Sequence, residues 1–260
     1  PIVPTPEWEG KSGLGLYGDF VMQTENVVGE IQKALTEIGQ EGNTLIIFTS
    51  DNGCSKAAGI GELAKQGHIV SADLRGSKAD LWDGGHRIPF IVKWPGRVKP
   101  GSESDQLICL TDLFATMTDL LGQKALENGA EDSVSFLPAL YGKKIVSTRK
   151  GVIHHSVSGH FAYRQGPWKL LLAKASGGWT SPKEKQAPAG AAPGQLYDLS
   201  TDLGEKKNLY EEKPDMVASL LALLEKDIKR GRSTKGPKSK NDYNNIKLWK
   251  SGEPKKGKRP

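Results

Sequence analysis

The sequence predicts an α/β fold, a sheet layered with helices, followed by a smaller antiparallel unit packed with one helix. Three observations carry this. An amphipathic helical pattern at residues 19–38 leads into the continuous apolar run Thr44-Leu45-Ile46-Ile47-Phe48. A second such run covers residues 88–94. After about residue 148, short strand patterns divided by turn signals replace the alternation of helix and strand.

In the first pattern Phe20, Thr24, Val27, Val28, Ile31, Leu35 and Ile38 recur at three- and four-residue steps, one face of a helix, and Gly39 is the expected stop. The run at 44–48 is rich in β-branched and aromatic residues. Beside a helix it reads as a strand buried on both faces, which predicts a parallel sheet. That strand ends in Thr49-Ser50-Asp51-Asn52-Gly53, and in open α/β sheets the loops after the carboxyl ends of strands bind ligands. Residues 54–86 are irregular and broken by glycines, a length uncommon for a connection unless it is functional or disordered. Residues 88–94 read as another strand, closed by Pro95-Gly96. A helix is expected over 111–121, with Thr111 or Asp112 as its cap, an apolar face from Leu113, Phe114, Met117, Leu120 and Leu121, and Gly122 as its end.

In the later part, residues 152–155, 161–164, 169–173 and 195–199 are strand-like, and Gln165-Gly166-Pro167 marks a hairpin turn between the second and third. Residues 176–194, rich in Gly, Ala, Pro and Lys, are expected to form an exposed loop. Pro214 opens a helix to about residue 230 with Met216, Val217, Leu220, Leu221, Leu224 and Ile228 facing inward. The chain thus divides into an α/β unit at 1–148, a small α+β unit at 149–232, and a basic, flexible tail at 233–260.

Composition bounds the function. The 260 residues carry 36 Lys+Arg against 30 Asp+Glu, are 37% apolar, and contain two cysteines, Cys54 and Cys109. That length supports a sizeable core. No apolar run is long enough for a membrane span, and two cysteines make no disulfide framework or zinc ribbon. The charge is uneven: residues 229–260 hold 12 Lys/Arg and 2 Asp/Glu, a net +10, which leaves the preceding residues at −4. Such a tail is either a solvated terminus or an attractor of polyanions. Specific nucleic-acid binding is not expected. The chain opens on Pro1-Ile2-Val3-Pro4-Thr5-Pro6 without a basic-then-apolar leader, and so reads as the middle of a longer protein.

Asp51-Asn52 at a strand end is the sharpest local feature. A carboxylate beside an amide carbonyl supplies two hard oxygen donors, suited to Ca2+, less to Mg2+, and better to either than to zinc. Asp-Asn-Gly is also ordinary turn chemistry. Lys78, in Arg75-Gly76-Ser77-Lys78, is by itself a solvated loop lysine, and the tract 82–89 is by itself a tight turn into a strand.

In order, these pieces form a pattern. Tyr17-Gly18-Asp19-Phe20-Val21 opens the helix, and Leu45-Ile46-Ile47-Phe48-Thr49-Ser50-Asp51-Asn52-Gly53 follows. Next come Arg75-Gly76-Ser77-Lys78, then Trp82-Asp83-Gly84-Gly85-His86-Arg87-Ile88-Pro89 leading into Phe90-Ile91-Val92-Lys93-Trp94-Pro95-Gly96. The later unit adds Phe161-Ala162-Tyr163-Arg164-Gln165-Gly166-Pro167-Trp168-Lys169-Leu170 and Leu196-Tyr197-Asp198-Leu199. Over residues 1–212 the chain closely resembles the C-terminal part of the formylglycine-dependent sulfatases of the alkaline-phosphatase-like superfamily. The resemblance implies that superfamily's mostly parallel sheet with helices, hydrolysis of sulfate esters, and a periplasmic or secreted protein. Its substrate would be a sulfated small molecule or sulfated carbohydrate. It also implies that Asp51 and Asn52 help bind a calcium ion and that Lys78 contacts the sulfate. A divalent ion and an ammonium stabilise charge shifting onto the leaving oxygen. Asp83, Arg87 and the two glycines between them are expected to shape the turn. Asp51, Asn52 and Lys78 are expected to converge at one mouth of the sheet.

The chain departs from the family pattern at the nucleophile, a Cys or Ser in C/S-x-P-x-R oxidised to formylglycine. Cys54 is followed by Ser55-Lys56 and Cys109 by Leu110-Thr111, and the one x-P-x-R match, Trp94-Pro95-Gly96-Arg97, is preceded by Lys93. The family's paired N-terminal Asp ligands are missing too. The chain therefore reads as the C-terminal half of a sulfatase, inactive by itself. Among the histidines, His155 is a candidate general acid and His154 and His68 are candidate substrate contacts, because imidazoles titrate near neutrality. His86 and His160 read as structural. Two other readings stand beside this one: a phosphatase or phosphodiesterase of the same superfamily with Asp and His around two zinc ions, and a non-catalytic polyanion-binding module acting through the basic tail.

Overall fold

The computed structural model describes residues 2–124, 128–145 and 149–250. Helix α1 spans Gly15–Glu37 and strand β1 Ile46–Thr49. Two short helices, α2 at Ile60–Lys65 and α3 at Asp83–His86, interrupt the long irregular stretch before strand β2 at Phe90–Lys93. Helices α4 at Asp112–Leu120 and α5 at Leu137–Leu140 complete the first unit.

β1 and β2 pair antiparallel, Ile46 opposite Lys93 and Thr49 opposite Phe90. The parallel pairing expected of two continuous apolar runs is not what these strands make with each other. Burial on both faces is compatible with an antiparallel strand lying in an otherwise parallel sheet, so the apolar runs could not decide direction. Both strands are mostly half-buried. The face of α1 expected to point into a core is likewise open: Val27, Ile31 and Ile38 are 52%, 50% and 67% exposed. Its main contacts are the short turns Pro6–Trp8 and Glu41–Asn43, too small to cover 23 residues of helix. The start of α1 is fixed differently, by the buried Asp19 carboxylate, which accepts from the Ser12 and Gly10 amides at 2.7 and 2.9 Å. Of the two caps expected for α4, Thr111 makes no side-chain capping bond. The Asp112 side chain instead accepts from the Cys109 and Val134 amides and pairs with the Arg149 guanidinium at 2.7 Å.

The second unit is a four-stranded antiparallel sheet in the order β3-β4-β5-β6, formed by Val152–His155, Phe161–Gln165, Trp168–Leu171 and Gln195–Asp198. The β4–β5 hairpin turns at Gly166, whose φ of 55° is the left-handed conformation that glycine adopts without strain. Helix α6, Pro214–Arg230, closes one face and stops at the left-handed Gly231. Val217, Leu220 and Leu224 of α6 join Phe161, Tyr163, Leu170, Leu172 and Leu196 in one core. At about 25 cal/mol per Å2 of apolar area removed from water, each of these side chains contributes roughly 1.5–3 kcal/mol.

A second cluster holds the two units together. Leu81 and Trp82 of the first unit are buried with Ala162, Leu171, Ala173, Tyr197 and Leu199 of the second. The stretch 176–194 is not simply an exposed loop: Ser176 is fully buried and its carbonyl accepts from the Leu81 amide at 2.8 Å. The basic tail touches the body at several points, although most of its described residues are exposed. The Ser233 and Thr234 amides donate to Asp132 and Glu131, and Ile246, Leu248 and Trp249 lie against the α6 core. These contacts come from polar and apolar residues spaced between the tail's lysines; residues 251–260 lie outside the described residues.

Candidate active site

Three segments interlock at the end of β1. Residues 50–54 continue from the strand, 75–80 form the turn that carries Lys78, and α3 follows. The Lys78 amide donates to the Cys54 carbonyl at 2.9 Å, and the Gly53 amide to the Gly85 carbonyl at 3.0 Å. The Gly84 amide reaches the Arg75 carbonyl at 2.7 Å. These approaches need bare backbones: a Cβ on Gly53 would stand 1.8 Å from the Gly84 oxygen, and one on Gly84 would stand 2.4 Å from the Gly76 oxygen. Asn52 lies two residues from Cys54, so its Cα is within about 12 Å of that of Lys78.

Asp51 is exposed and Asn52 and Lys78 are half-buried. The Asn52 side-chain amide donates to the Asp51 carboxylate, which brings the two side chains together, and the Ser50 hydroxyl donates to the Asn52 backbone carbonyl at 2.8 Å. Two hard oxygens fit calcium chemistry, but calcium takes six to eight. Among the described residues no group of three or more His, Cys, Asp or Glu stands together as a metal site. These residues thus fit part of a calcium shell.

The histidines separate. His154 faces inward on β3: its ring centroid is 4.3 Å from that of His86, and Nε2 is 3.3 Å from the Leu81 carbonyl. His155, next along the strand, points the other way, is exposed, and lies edge-on to Phe161 at 4.3 Å. His68 is half-buried near the end of α2, its amide bonded to the Leu63 carbonyl at 2.9 Å. His160 is buried, with Nδ1 3.3 Å from the Leu172 carbonyl. Burial, with the Lys169 ammonium next, pushes His86 down to about 4. Burial, with His86 next, pushes His154 well below the usual histidine range. His155 is lowered too, by desolvation and then by Lys250. His86 Nε2 is buried without a hydrogen-bond partner among the described residues.

Sequence reasoning missed the charged hub under this site. Lys169 of β5 is fully buried, with its ammonium 2.6 Å from Asp83 Oδ1 and 2.9 Å from Glu205 Oε1. Glu205 Oε2 in turn accepts from the Asp83 amide at 2.6 Å. Burial alone would raise the Asp83 carboxyl, but Lys169 and then Arg164 and Arg87 outweigh it and hold it below the usual carboxylate range. Glu205 goes the other way, raised by burial despite the same lysine. The Arg75 guanidinium lies over the Trp82 ring at 3.7 Å and donates to the Glu205 carbonyl at 2.7 Å. Asp83, expected to shape the turn, stands at the buried end of an ion-pair network. A lysine in an apolar strand was the one signal available.

The sequence matches the family model described as Sulfatase over residues 4–123. It is 38% identical over 231 residues to an N-acetylgalactosamine-6-O-sulfatase of Bacteroides thetaiotaomicron, covering 86% of this chain and 44% of that protein. It is 35% identical over 153 residues to a steryl-sulfatase of Rattus norvegicus, covering 58% of this chain and 26% of that protein. A solved sulfatase structure, from work on glycosaminoglycan metabolism by Bacteroides thetaiotaomicron, aligns with a TM-score of 0.75 at 35% identity over 87% of this chain and 47% of that one. The chain spans less than half the length of these relatives. Its architecture is the alkaline-phosphatase-like α/β fold with a smaller antiparallel sheet and helix. The family match, the sequence relatives and the structural neighbour agree, and the chain belongs to the sulfatase family.

Proposed function

We propose that this chain supplies the calcium- and sulfate-binding half of a sulfuric-ester hydrolase that acts on sulfated carbohydrate. The observation that supports the reading is the bond of the Lys78 amide to the Cys54 carbonyl at 2.9 Å, which joins the backbone of the Lys78 turn to the segment that follows the Asp51-Asn52 pair. In this reading Asp51 and Asn52 give two oxygens to Ca2+, and Lys78 holds the sulfate. A bound calcium ion would supply fixed positive charge for the sulfuryl oxygens. Lys78 would add its ammonium where charge develops on the leaving oxygen, an effect worth more in a water-poor cleft than in bulk.

The sugar assignment draws on the relative of highest identity above, whose name specifies a sulfated sugar. The nucleophile, a formylglycine, would come from sequence outside these residues, since no Cys or Ser here stands in the C/S-x-P-x-R motif. The exposed apolar face of α1 offers that remaining part of the fold a surface to pack on. Periplasmic or secreted location accompanies the same reading; no helix of the described residues is long and apolar enough to cross a membrane.

Of the two histidines on β3, His154 is turned into the packed interior, and His155 is left as the exposed candidate for proton transfer. The test is sulfate release from N-acetylgalactosamine 6-sulfate and from an aryl sulfate. The full-length protein with calcium is expected to release sulfate, and the 260 residues alone are expected to release none. Equal release by both would place the nucleophile within this chain and refute the reading.

A further inference from the structure

The stretch between β5 and β6 does more than connect them. Asp80, two residues after Lys78, is fully buried, and its Oδ1 accepts from the Trp179 and Thr180 amides at 2.8 and 2.9 Å. Its Oδ2 accepts from the Ser77 amide at 2.8 Å. One carboxylate thus fastens the Lys78 turn to residues 179–180 of the second unit. The approach is so close that a Cβ on Gly178 would stand 2.2 Å from the Ala79 oxygen. Ala79 itself sits at φ 83°, a strained conformation for alanine. That conformation is held from a third side by the Val157 amide, which donates to the Ala79 carbonyl at 3.0 Å. The Lys56 ammonium, four residues beyond Asn52, donates to the Trp179 carbonyl.

The backbone of Trp179 is therefore pinned between the segment that follows Asp51-Asn52 and the turn that carries Lys78, yet its side chain is 42% exposed. Indole is the largest apolar side chain, and here it is left partly in water on a backbone bonded to the Lys78 turn. From Asp80 to Lys78 the chain can cover at most about 7 Å, and the Asp80 carboxylate bonds the Trp179 amide directly, so the backbones of Trp179 and Lys78 are neighbours. The C–H face of a pyranose is apolar and matches an indole face, whereas its sulfate group matches the ammonium.

We propose that Trp179 is the platform on which a sugar ring of the substrate lies while its sulfate group is held at Lys78. This rests on the sulfatase reading. Its content beyond that reading is that the second unit, through a loop bonded to Asp80, selects carbohydrate over other sulfate esters.

The experiment uses full-length protein, wild type and the variants Trp179→Ala and Trp179→Phe. N-acetylgalactosamine 6-sulfate and sulfated disaccharides from chondroitin and heparan sulfate serve as substrates, and inorganic sulfate serves as a competitive inhibitor. Trp179→Ala is expected to raise KM for the sulfated sugars by about tenfold with kcat within a few-fold. Trp179→Phe is expected to restore most of that loss. The inhibition constant of inorganic sulfate, which has no sugar ring, is expected to stay unchanged in both variants, as is the thermal midpoint. An active wild type whose KM is unmoved in Trp179→Ala overturns the platform alone. So does a parallel loss of inorganic sulfate binding, since that would make the effect one of loop structure. A wild type that releases no sulfate from any of these sugars overturns the carbohydrate sulfatase reading, and the platform with it.

Discussion

The Lys169 ammonium lies 2.6 Å from the Asp83 carboxylate although 86 residues separate them, and it reaches Glu205 at 2.9 Å as well. Through these two contacts β5 of the small sheet anchors the turn that leads out of the Lys78 loop. All three side chains are excluded from water, with 3% exposure at most.

Removing the lysine leaves Glu205 buried without its cation and Asp83 with only the longer contact to the Arg164 guanidinium at 3.4 Å. Lys169→Met is therefore expected to destabilise the chain by about 3–5 kcal/mol, the usual cost of breaking a buried ion pair from one side. Urea unfolding followed by circular dichroism measures this. Adding Asp83→Asn to Lys169→Met is expected to recover part of the loss. A loss below about 1 kcal/mol for the single variant would mean that water enters the cluster.

The inward histidines give the fold an acid limit. His86 is held near 4, against 6.5 for the free side chain, by burial and then by Lys169, so the unfolded chain binds more protons between those values. Stability contributed by neutral His86 is thus full above about pH 6.5 and is lost as pH falls toward 4, by up to about 3 kcal/mol. His154, lowered in the same direction, adds to the slope. Thermal midpoints measured from pH 7.5 down to 4.5 are expected to fall, and to fall less steeply in His86→Leu.

Two glycines should respond oppositely to a single methyl group. Gly53→Ala would drive a Cβ to 1.8 Å from the Gly84 oxygen and push the Asp51-Asn52 segment off α3. It is expected to cost roughly 1–3 kcal/mol, as overpacking does, and to abolish most turnover in the full-length protein. Gly61, inside α2 with nothing within 4 Å of where an added Cβ would sit, should accept alanine with a gain of about 0.5–1 kcal/mol. Denaturant midpoints of the two variants compare them directly.

Local chemistry made much of this legible. Pro214 at the first turn, the three- and four-residue apolar spacing and Gly231 define α6 as the structure has it, Pro214–Arg230. Gln165-Gly166-Pro167 marks the β4–β5 hairpin, and the strand end before Asp51-Asn52 is where the site segments meet. Strand direction was not legible in Thr44-Leu45-Ile46-Ile47-Phe48, since an unbroken apolar run reports burial on two faces and not the sense of its neighbour. Lys169 was not legible as a buried cation because its partners, Asp83 and Glu205, are distant in sequence. Trp179 lay in a Gly- and Pro-rich stretch whose composition reads as solvent-exposed loop, and bonds from Asp80 and Ser77, distant in sequence, bring that stretch to the Lys78 turn.

Lys78 carries the central claim, that the sulfate group is held beside the Asp51-Asn52 pair. The direct measurement is kcat for sulfate release from N-acetylgalactosamine 6-sulfate by full-length protein with calcium, wild type against Lys78→Ala. The account predicts a fall of about 100- to 1000-fold, the usual loss of one preorganised charge-stabilising group, with the thermal midpoint of Lys78→Ala close to wild type because half-buried Lys78 belongs to neither hydrophobic cluster. Turnover by Lys78→Ala within a few-fold of wild type would contradict it and show that the sulfate is held elsewhere.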